Sequence, residues 1–290
     1  MKKRAILYIA IAGILWGSSG IFFNLLRPFG FTPLHMTAMR GGVAGIVMPL
    51  YLLITNRQLF RSPLREFPLF LGSGLMMYGA AACYYAAIDA SSVSTAVILM
   101  YTSPVFVLIY SVLFLREKLT VVKGLAVALV VVGCALVSGI TGGMDLSFWG
   151  VVLGFGAAIT YSAYNVFTKY AMLRKNNSLT ATAYAFMVMG IMAVSTCNPG
   201  ELVAITATDP VVIIPLILGI GLCTCVGPYF LYTLAMRELP AGTASALGII
   251  EPLAATIFSV VLFHEVLSVP AIIGIVLVLG AVVMLSKGEE

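Results

Sequence analysis

Glu251 is the residue in this chain best placed to do chemistry. It lies about ten residues into an apolar stretch spanning 241 to 263. At 1.5 Å per residue that is roughly 15 Å deep, close to the midplane of a hydrocarbon core about 30 Å thick. A carboxylate there is costly to ionise without partners, so it would carry a proton or face a cationic group of a ligand. The plainer reading is a side chain hydrogen-bonded locally that fixes the helix. Trp16, Asn165 and Tyr229 fall at similar depth in other apolar stretches. They are able to stack on a flat ligand or hydrogen-bond to one, though membrane aromatics also serve as packing and interface belts. Arg40 sits some six residues into its stretch and must snorkel or find a partner. Glu265 and Glu251 are its candidate partners, with a structural pair favoured over recognition of an anionic ligand group.

Pro104 and Pro252 cannot donate to the carbonyls of Met100 and Gly248, which leaves those oxygens free at mid-depth. The two sites serve either as hinges or as static kinks. Glu117 and Glu265 end their apolar stretches at opposite faces, and structural pairing with neighbours such as Arg116 or Lys118 is the favoured role. His264, beside Glu265, reads as a solvated interfacial histidine more readily than as a pH sensor.

Several chemistries are excluded. There is no GxxxxGK[ST] loop for a nucleotide. No His/Asp/Glu metal set and no Ser/His pair at matching depth supports catalysis. Cys83, Cys134, Cys197, Cys223 and Cys225 lie mostly within apolar stretches without metal-ligand spacing, as small buried apolar residues do. No cofactor and no metal are therefore expected. The formal charge of +5 does not point to nucleic acid, because the basic residues separate apolar segments instead of forming an aromatic-laced patch.

The elements that must position these residues are membrane helices. Of 290 residues, 61% are hydrophobic and 9% charged, against about 25% charged in average globular chains. Apolar segments run approximately 5 to 26, 34 to 55, 67 to 88, 92 to 115, 121 to 140, 148 to 170, 178 to 198, 211 to 236, 241 to 263 and 269 to 286. The fold expected is an all-α integral membrane protein with ten transmembrane helices. The basic start, Lys2 to Arg4, leads into a run too long for a signal peptide and without a small-residue cleavage site, so it reads as a retained first helix. Fourteen of the 16 Lys and Arg residues fall on alternate connections, which predicts both termini to be cytoplasmic. Arg27 lies at the other face with Asp89, Asp145, Glu201 and Asp209, and Arg40 lies within a helix.

The chain repeats itself. Residues 84 to 120 align on 232 to 268 at a constant offset of 148, with 11 of 37 positions identical, among them Tyr84/Tyr232, Pro104/Pro252 and Glu117/Glu265. Segment one resembles segment six through Trp16 over Tyr161 and Phe22 over Phe167. Each half holds five helices. Five is odd, so the second half enters the bilayer from the opposite side. The expectation is two inverted five-helix repeats, residues 1 to 144 and 145 to 290, the architecture of alternating access with a site near the midplane. Ser103 is the repeat mate of Glu251, so the site would be asymmetric. Small residues such as Gly41, Gly42, Gly45, Gly154 and Gly156 read as helix contact surfaces.

At these residues the chain resembles the ten-helix drug/metabolite transporter superfamily, EamA type, over nearly its whole length. The resemblance is carried by the WGSS tetrapeptide from Trp16 to Ser19, by TAVILMYTSPVFVLIYSVLFLREKL in segment four, and by its counterpart TASALGIIEPLAATIFSVVLFHEVL in segment nine. It implies a basket of two five-helix halves around a cavity lined by segments one, three, four, six, eight and nine. It also implies export of amino acids, other metabolites or drugs. In the superfamily's aromatic-amino-acid exporters the cavity is rich in aromatics and histidine. The comparable positions here are Tyr78, Tyr101 and Tyr161, without the histidine.

The expected function is alternating-access secondary transport of a small metabolite, an amino acid or similar, exported across the cytoplasmic membrane, either proton-coupled through Glu251 or facilitative. The expected substrate contacts are Trp16, Tyr78, Tyr101, Ser103, Tyr161, Asn165, Tyr229 and Glu251. The expected partners are the small-molecule substrate, the bilayer and, if coupled, protons, with the oligomeric state open. The rival within transport is multidrug or lipophilic-cation efflux. The rival from another class is a membrane-embedded enzyme or a nontransporting partner protein.

Overall fold

The computed structural model describes residues 2–60, 63–103, 105–106, 109–110, 121–137, 147–174, 177–235, 250–264 and 266–287. Within them every regular element is helical. Segment one is α1 (Lys2–Gly17) followed by α2 (Ser19–Leu26). Segments two, three and four give α3 (Pro33–Thr55), α4 (Phe67–Ala90) and α5 (Val93–Met100). Segments five, six and seven give α6 (Val121–Val137), α7 (Phe148–Leu173) and α8 (Ser178–Thr196). A short helix, α9 (Pro199–Thr206), precedes segment eight, which is α10 (Pro210–Gly221), a π turn at Leu222–Val226, and α11 (Gly227–Ala235). Segments nine and ten give α12 (Ile250–Phe263) and α13 (Val269–Lys287).

Six of these apolar stretches are long enough to cross a bilayer: Lys3–Phe29, Pro33–Thr55, Phe67–Ala90, Phe148–Thr168, Leu179–Thr196 and Pro210–Tyr232. Leu253–Phe263 and Val269–Ala281 are shorter apolar helices, and parts of segments four and nine lie outside the described residues. Their outer surfaces are apolar, with Ile54, Val121, Val211 and Val269 at least 70% exposed. A water-soluble chain does not present such a surface. The chain is an all-α, multi-pass membrane protein.

Local sequence sets the helix starts. Thr32 and His35 form a capping box around Pro33: the Thr32 hydroxyl accepts from the His35 amide and His35 Nδ1 accepts from the Thr32 amide. Asn177, Asn198 and Asp209 cap α8, α9 and α10 more simply, each through a side-chain oxygen that accepts from backbone amides of the first turn. The break after α1 falls in WGSS. There Ser18 Oγ donates to the Leu15 carbonyl and Ser19 Oγ to the Trp16 carbonyl, a back-bonding habit that bends helices.

Packing joins early helices to late ones. α3 lies along α8, α4 along α7 and α8, α6 along α13, and α1 against α11 and α12. Small residues permit the approach. A Cβ on Gly45 would stand 2.8 Å from the Phe186 carbonyl oxygen, and one on Gly190 would stand 2.7 Å from the Gly41 carbonyl oxygen. Gly154 is equally tight against Leu99, at 2.6 Å, whereas Gly42 has only ordinary clearance, at 3.7 Å.

Candidate functional site

The site is built where α1, α7 and α11 meet the ends of α5 and α12. α5 ends at Met100, and the turn that follows is closed by the Thr102 amide on the Leu99 carbonyl. Tyr101 stands at this C-cap, and its Oη donates to Glu251 Oε2 at 2.8 Å. That bond links segment four to segment nine. Ser103 is buried two residues further on.

Glu251 is held against segment one by two glycines a turn apart. A Cβ on Gly13 would stand 3.1 Å from the Glu251 amide nitrogen, and one on Gly17 would stand 2.9 Å from its carbonyl oxygen. The sequence GILWG thus brings α1 into backbone contact with α12 and sets Trp16 beside the site. Trp16 packs edge-on to Tyr229, ring centroids 5.3 Å apart, and lies 5.8 Å from Tyr232. Tyr229 in turn packs edge-on to Phe186 at 5.3 Å. From α7, Tyr161 lies 6.0 Å from Tyr164 and within electrostatic reach of Glu251, Tyr232 and Asn165. The arrangement is a carboxylate in a ring of aromatic side chains, suited to a small ligand with a cationic end and an apolar or flat body.

Of the two carboxylates expected for it, Glu265 lies outside the described residues and Glu251 is not bonded to Arg40. Its Nε donates to Cys225 Sγ at 3.0 Å and its Nη2 to the Thr224 carbonyl oxygen at 3.0 Å, both in the π turn of segment eight. The reason is geometric: the π turn places a carbonyl and a sulfur beside α3, closer to Arg40 than Glu251 comes.

Tyr78 packs against the same buried cluster as Tyr161 and Tyr229 and also reaches α8. Its hydroxyl donates to Thr196 Oγ1 at 2.9 Å, and its ring packs near Ala38, Ala193 and Cys197 on the α4–α8 contact. Pro104, Glu117 and Glu265 lie outside the described residues, and Pro252 is within α12. His264 is exposed and has a left-handed backbone, φ 54°.

Residues not singled out from sequence also face the site: Tyr84, Tyr164, Tyr232, Thr224 and Cys225. The repeat already carried one signal, since it matches Tyr84 with Tyr232. Tyr84 lies within electrostatic reach of Glu251 and Arg40, and Tyr232 packs on Trp16. Gly13 and Gly17 were legible as a GxxxG spacing. Among the described residues no group of three His, Cys, Asp or Glu could hold a metal.

The chain is similar to the uncharacterized transporter YwfM of Bacillus subtilis (strain 168), 24% identical over 98% of this chain and 94% of that protein. An uncharacterized transporter of Archaeoglobus fulgidus is 28% identical over 95% and 94%. The S-adenosylmethionine/S-adenosylhomocysteine transporter of Chlamydia muridarum is 28% identical over 91% and 86%. A crystal structure superposes over the full length of both chains with TM-score 0.64 at 16% identity, which shows a shared fold. The model of the EamA-like transporter family matches twice, over residues 3–139 and 148–287. The chain therefore belongs to the EamA-like transporter family and is a membrane transporter.

Proposed function

We propose that the chain is an alternating-access secondary transporter of ten helices in two inverted halves, residues 1 to 144 and 145 to 290. It exports a small metabolite, an amino acid or similar, across the cytoplasmic membrane with both termini in the cytoplasm. The observation that carries the reading is the Tyr101–Glu251 hydrogen bond, 2.8 Å, between corresponding segments of the two halves and within an aromatic surround. In inverted-repeat transporters the substrate site lies where the halves meet near the midplane.

Two further observations support the division. The family model matches once in each half. The helix contacts between non-consecutive segments also pair off under exchange of each segment with the one five places away: three with six answers to eight with one, three with seven to eight with two, and four with six to nine with one. Segments two with seven, four with nine and five with ten are their own mates.

In the cycle we infer, Glu251 receives either a proton or the cationic group of the cargo, while Trp16, Tyr161, Asn165 and Tyr229 enclose its body. Tyr101 orients the carboxylate, and Ser103 lies at the same depth. Tyr78 is assigned to the wall between α4 and α8. The Chlamydia relative's cargo suits the same chemistry, since an adenine, a sulfonium and an amino-acid end would match aromatic rings and one carboxylate. S-adenosylmethionine therefore belongs among the compounds to test.

The experiment is counterflow in proteoliposomes with labelled amino acids, nucleobases, organic cations and S-adenosylmethionine, with and without an imposed pH gradient. Exchange of one class is expected to name the cargo. Gradient-dependent exchange that Glu251→Gln leaves unaltered would overturn the proton-carrier role. Exchange confined to lipophilic cations would replace metabolite export with drug efflux. No exchange in vesicles holding folded protein would count against the site as read.

A further inference from the structure

Among the described residues no carboxylate is in contact with Arg40, a guanidinium inside a membrane helix. Arg27 pairs with Asp89 at 2.9 Å and Arg174 reaches Glu66 at 3.7 Å. Arg40 is instead bonded through Nε to Cys225 Sγ and through Nη2 to the Thr224 carbonyl oxygen. Among the described residues Nη1 has no acceptor. A buried charge without its counter-charge is expensive, and such groups in membrane segments mark ligand pathways. Glu251 is within electrostatic reach but forms no ion pair with it.

Next to Arg40 is a second incomplete group. Tyr85 is fully buried, and its hydroxyl makes no hydrogen bond although it faces Arg40 and Thr224. A guanidinium offers donors only, and Thr224 Oγ1, a donor to the Ile220 carbonyl, keeps lone pairs but makes no bond to Tyr85 in this arrangement. A buried, unmade hydrogen bond is costly. Arg40 Nη1 and the Tyr85 hydroxyl therefore lie side by side, neither of them hydrogen-bonded among the described residues.

We propose that Arg40 and Tyr85 form a carboxylate-binding subsite of the transport site. The cargo is then a zwitterion, its cationic end at Glu251 and its carboxylate at Arg40. This assignment rests on Glu251 being in the transport site. The π turn is the positioning element. By accepting from Nε and Nη2 it fixes the guanidinium plane and leaves the third nitrogen for the ligand, and π turns recur at functional sites. A carboxylate that enters supplies both the missing counter-charge and the missing acceptor.

The test uses the purified full chain and two readouts, ligand-induced thermal stabilisation in detergent and counterflow in liposomes. The probes are L-methionine and L-phenylalanine, the carboxamide and the decarboxylated amine of each, and inorganic phosphate. The amino acids are expected to stabilise the protein, with the carboxamides, amines and phosphate much weaker. Tyr85→Phe removes a hydroxyl that bonds nothing, so the ligand-free melting temperature should hold. Amino-acid affinity should fall about tenfold or more, as for loss of a hydrogen bond to a charged group, with carboxamide binding unmoved. Arg40→Gln should abolish the preference for acid over carboxamide wherever the variant is folded.

Equal binding of acids and carboxamides would overturn the subsite. So would unchanged acid affinity in Tyr85→Phe, stabilisation by phosphate equal to that by the acids, or no binding by either acid. The two readouts keep this proposal separate from the transport reading. Binding without exchange counts against transport and not the subsite, and exchange without acid preference does the reverse.

Discussion

Tyr101 and Glu251 are 150 positions apart, yet one hydrogen bond makes them a unit. Groups that act together lose their effects non-additively. Tyr101→Phe and Glu251→Gln should each lower counterflow by roughly 10-fold or more, the scale of a hydrogen bond to a charged group. The double substitution should be scarcely worse than Glu251→Gln alone. Initial rates for the four proteins in matched liposomes check this, and additive losses would mean that the two side chains work separately. Trp16→Ala is a different kind of change. It removes the ring packed on Tyr229 and Tyr232, so it should raise the half-saturating cargo concentration more than it lowers the maximal rate. Glu251 was legible in the sequence because an acid in an apolar run stands out without any knowledge of the fold. The Arg40 environment was not. A search for carboxylates suggests Glu251 and Glu265, whereas the acceptors are a main-chain oxygen and a sulfur exposed by a π turn that no composition reveals. Tyr85 was invisible for a related reason, since an unmade hydrogen bond exists only in three dimensions.

At the scale of elements, the site depends on how closely α1 can approach α12. Gly17→Leu would drive a side chain into the backbone of Glu251 and Ala255, where even a Cβ stands 2.9 Å away. Overpacking of this kind costs about 1–3 kcal/mol, and it should appear as a lower melting temperature in detergent together with loss of transport. Gly42→Ala is the control, because its Cβ would meet Val194 at an ordinary 3.7 Å; its melting temperature should stay that of the parent protein. The sequence presented all these glycines alike, and Gly41, Gly42 and Gly45 were expected to act together. Only the facing helix distinguishes them: Phe186 and Gly190 crowd Gly45, and nothing crowds Gly42 as closely. Segment boundaries were more legible than contacts. Proline at the helix start and Asn, Asp or Thr before it are local signals, whereas the break at WGSS and the π turn depend on what lies alongside.

For the whole molecule, membrane character followed from composition alone, whereas which helices lie together did not. The orientation rests on Lys and Arg placement, and a reporter fused after Lys287 is expected to be cytoplasmic. An extracellular signal would invert the assignment of faces. One structural tie bears on movement between the halves. The Thr180 hydroxyl donates to the Leu59 carbonyl and the Tyr184 hydroxyl to the Phe60 carbonyl, strapping the connection between α3 and α4 to α8 on the side assigned to the cytoplasm. Tyr184→Phe should loosen that strap and increase accessibility of the adjoining chain to a membrane-impermeant thiol reagent, read from a cysteine placed at Leu59.

The helix partnerships also bear on biosynthesis. Segments one to three contact segments six to nine more than they contact one another. A ribosome making the chain in order inserts several helices before their main partners exist, and their glycine-lined faces must wait in lipid. The first 144 residues expressed alone should therefore be a good substrate for membrane quality-control proteases, and their lifetime should lengthen when the remaining 146 are supplied as a separate polypeptide.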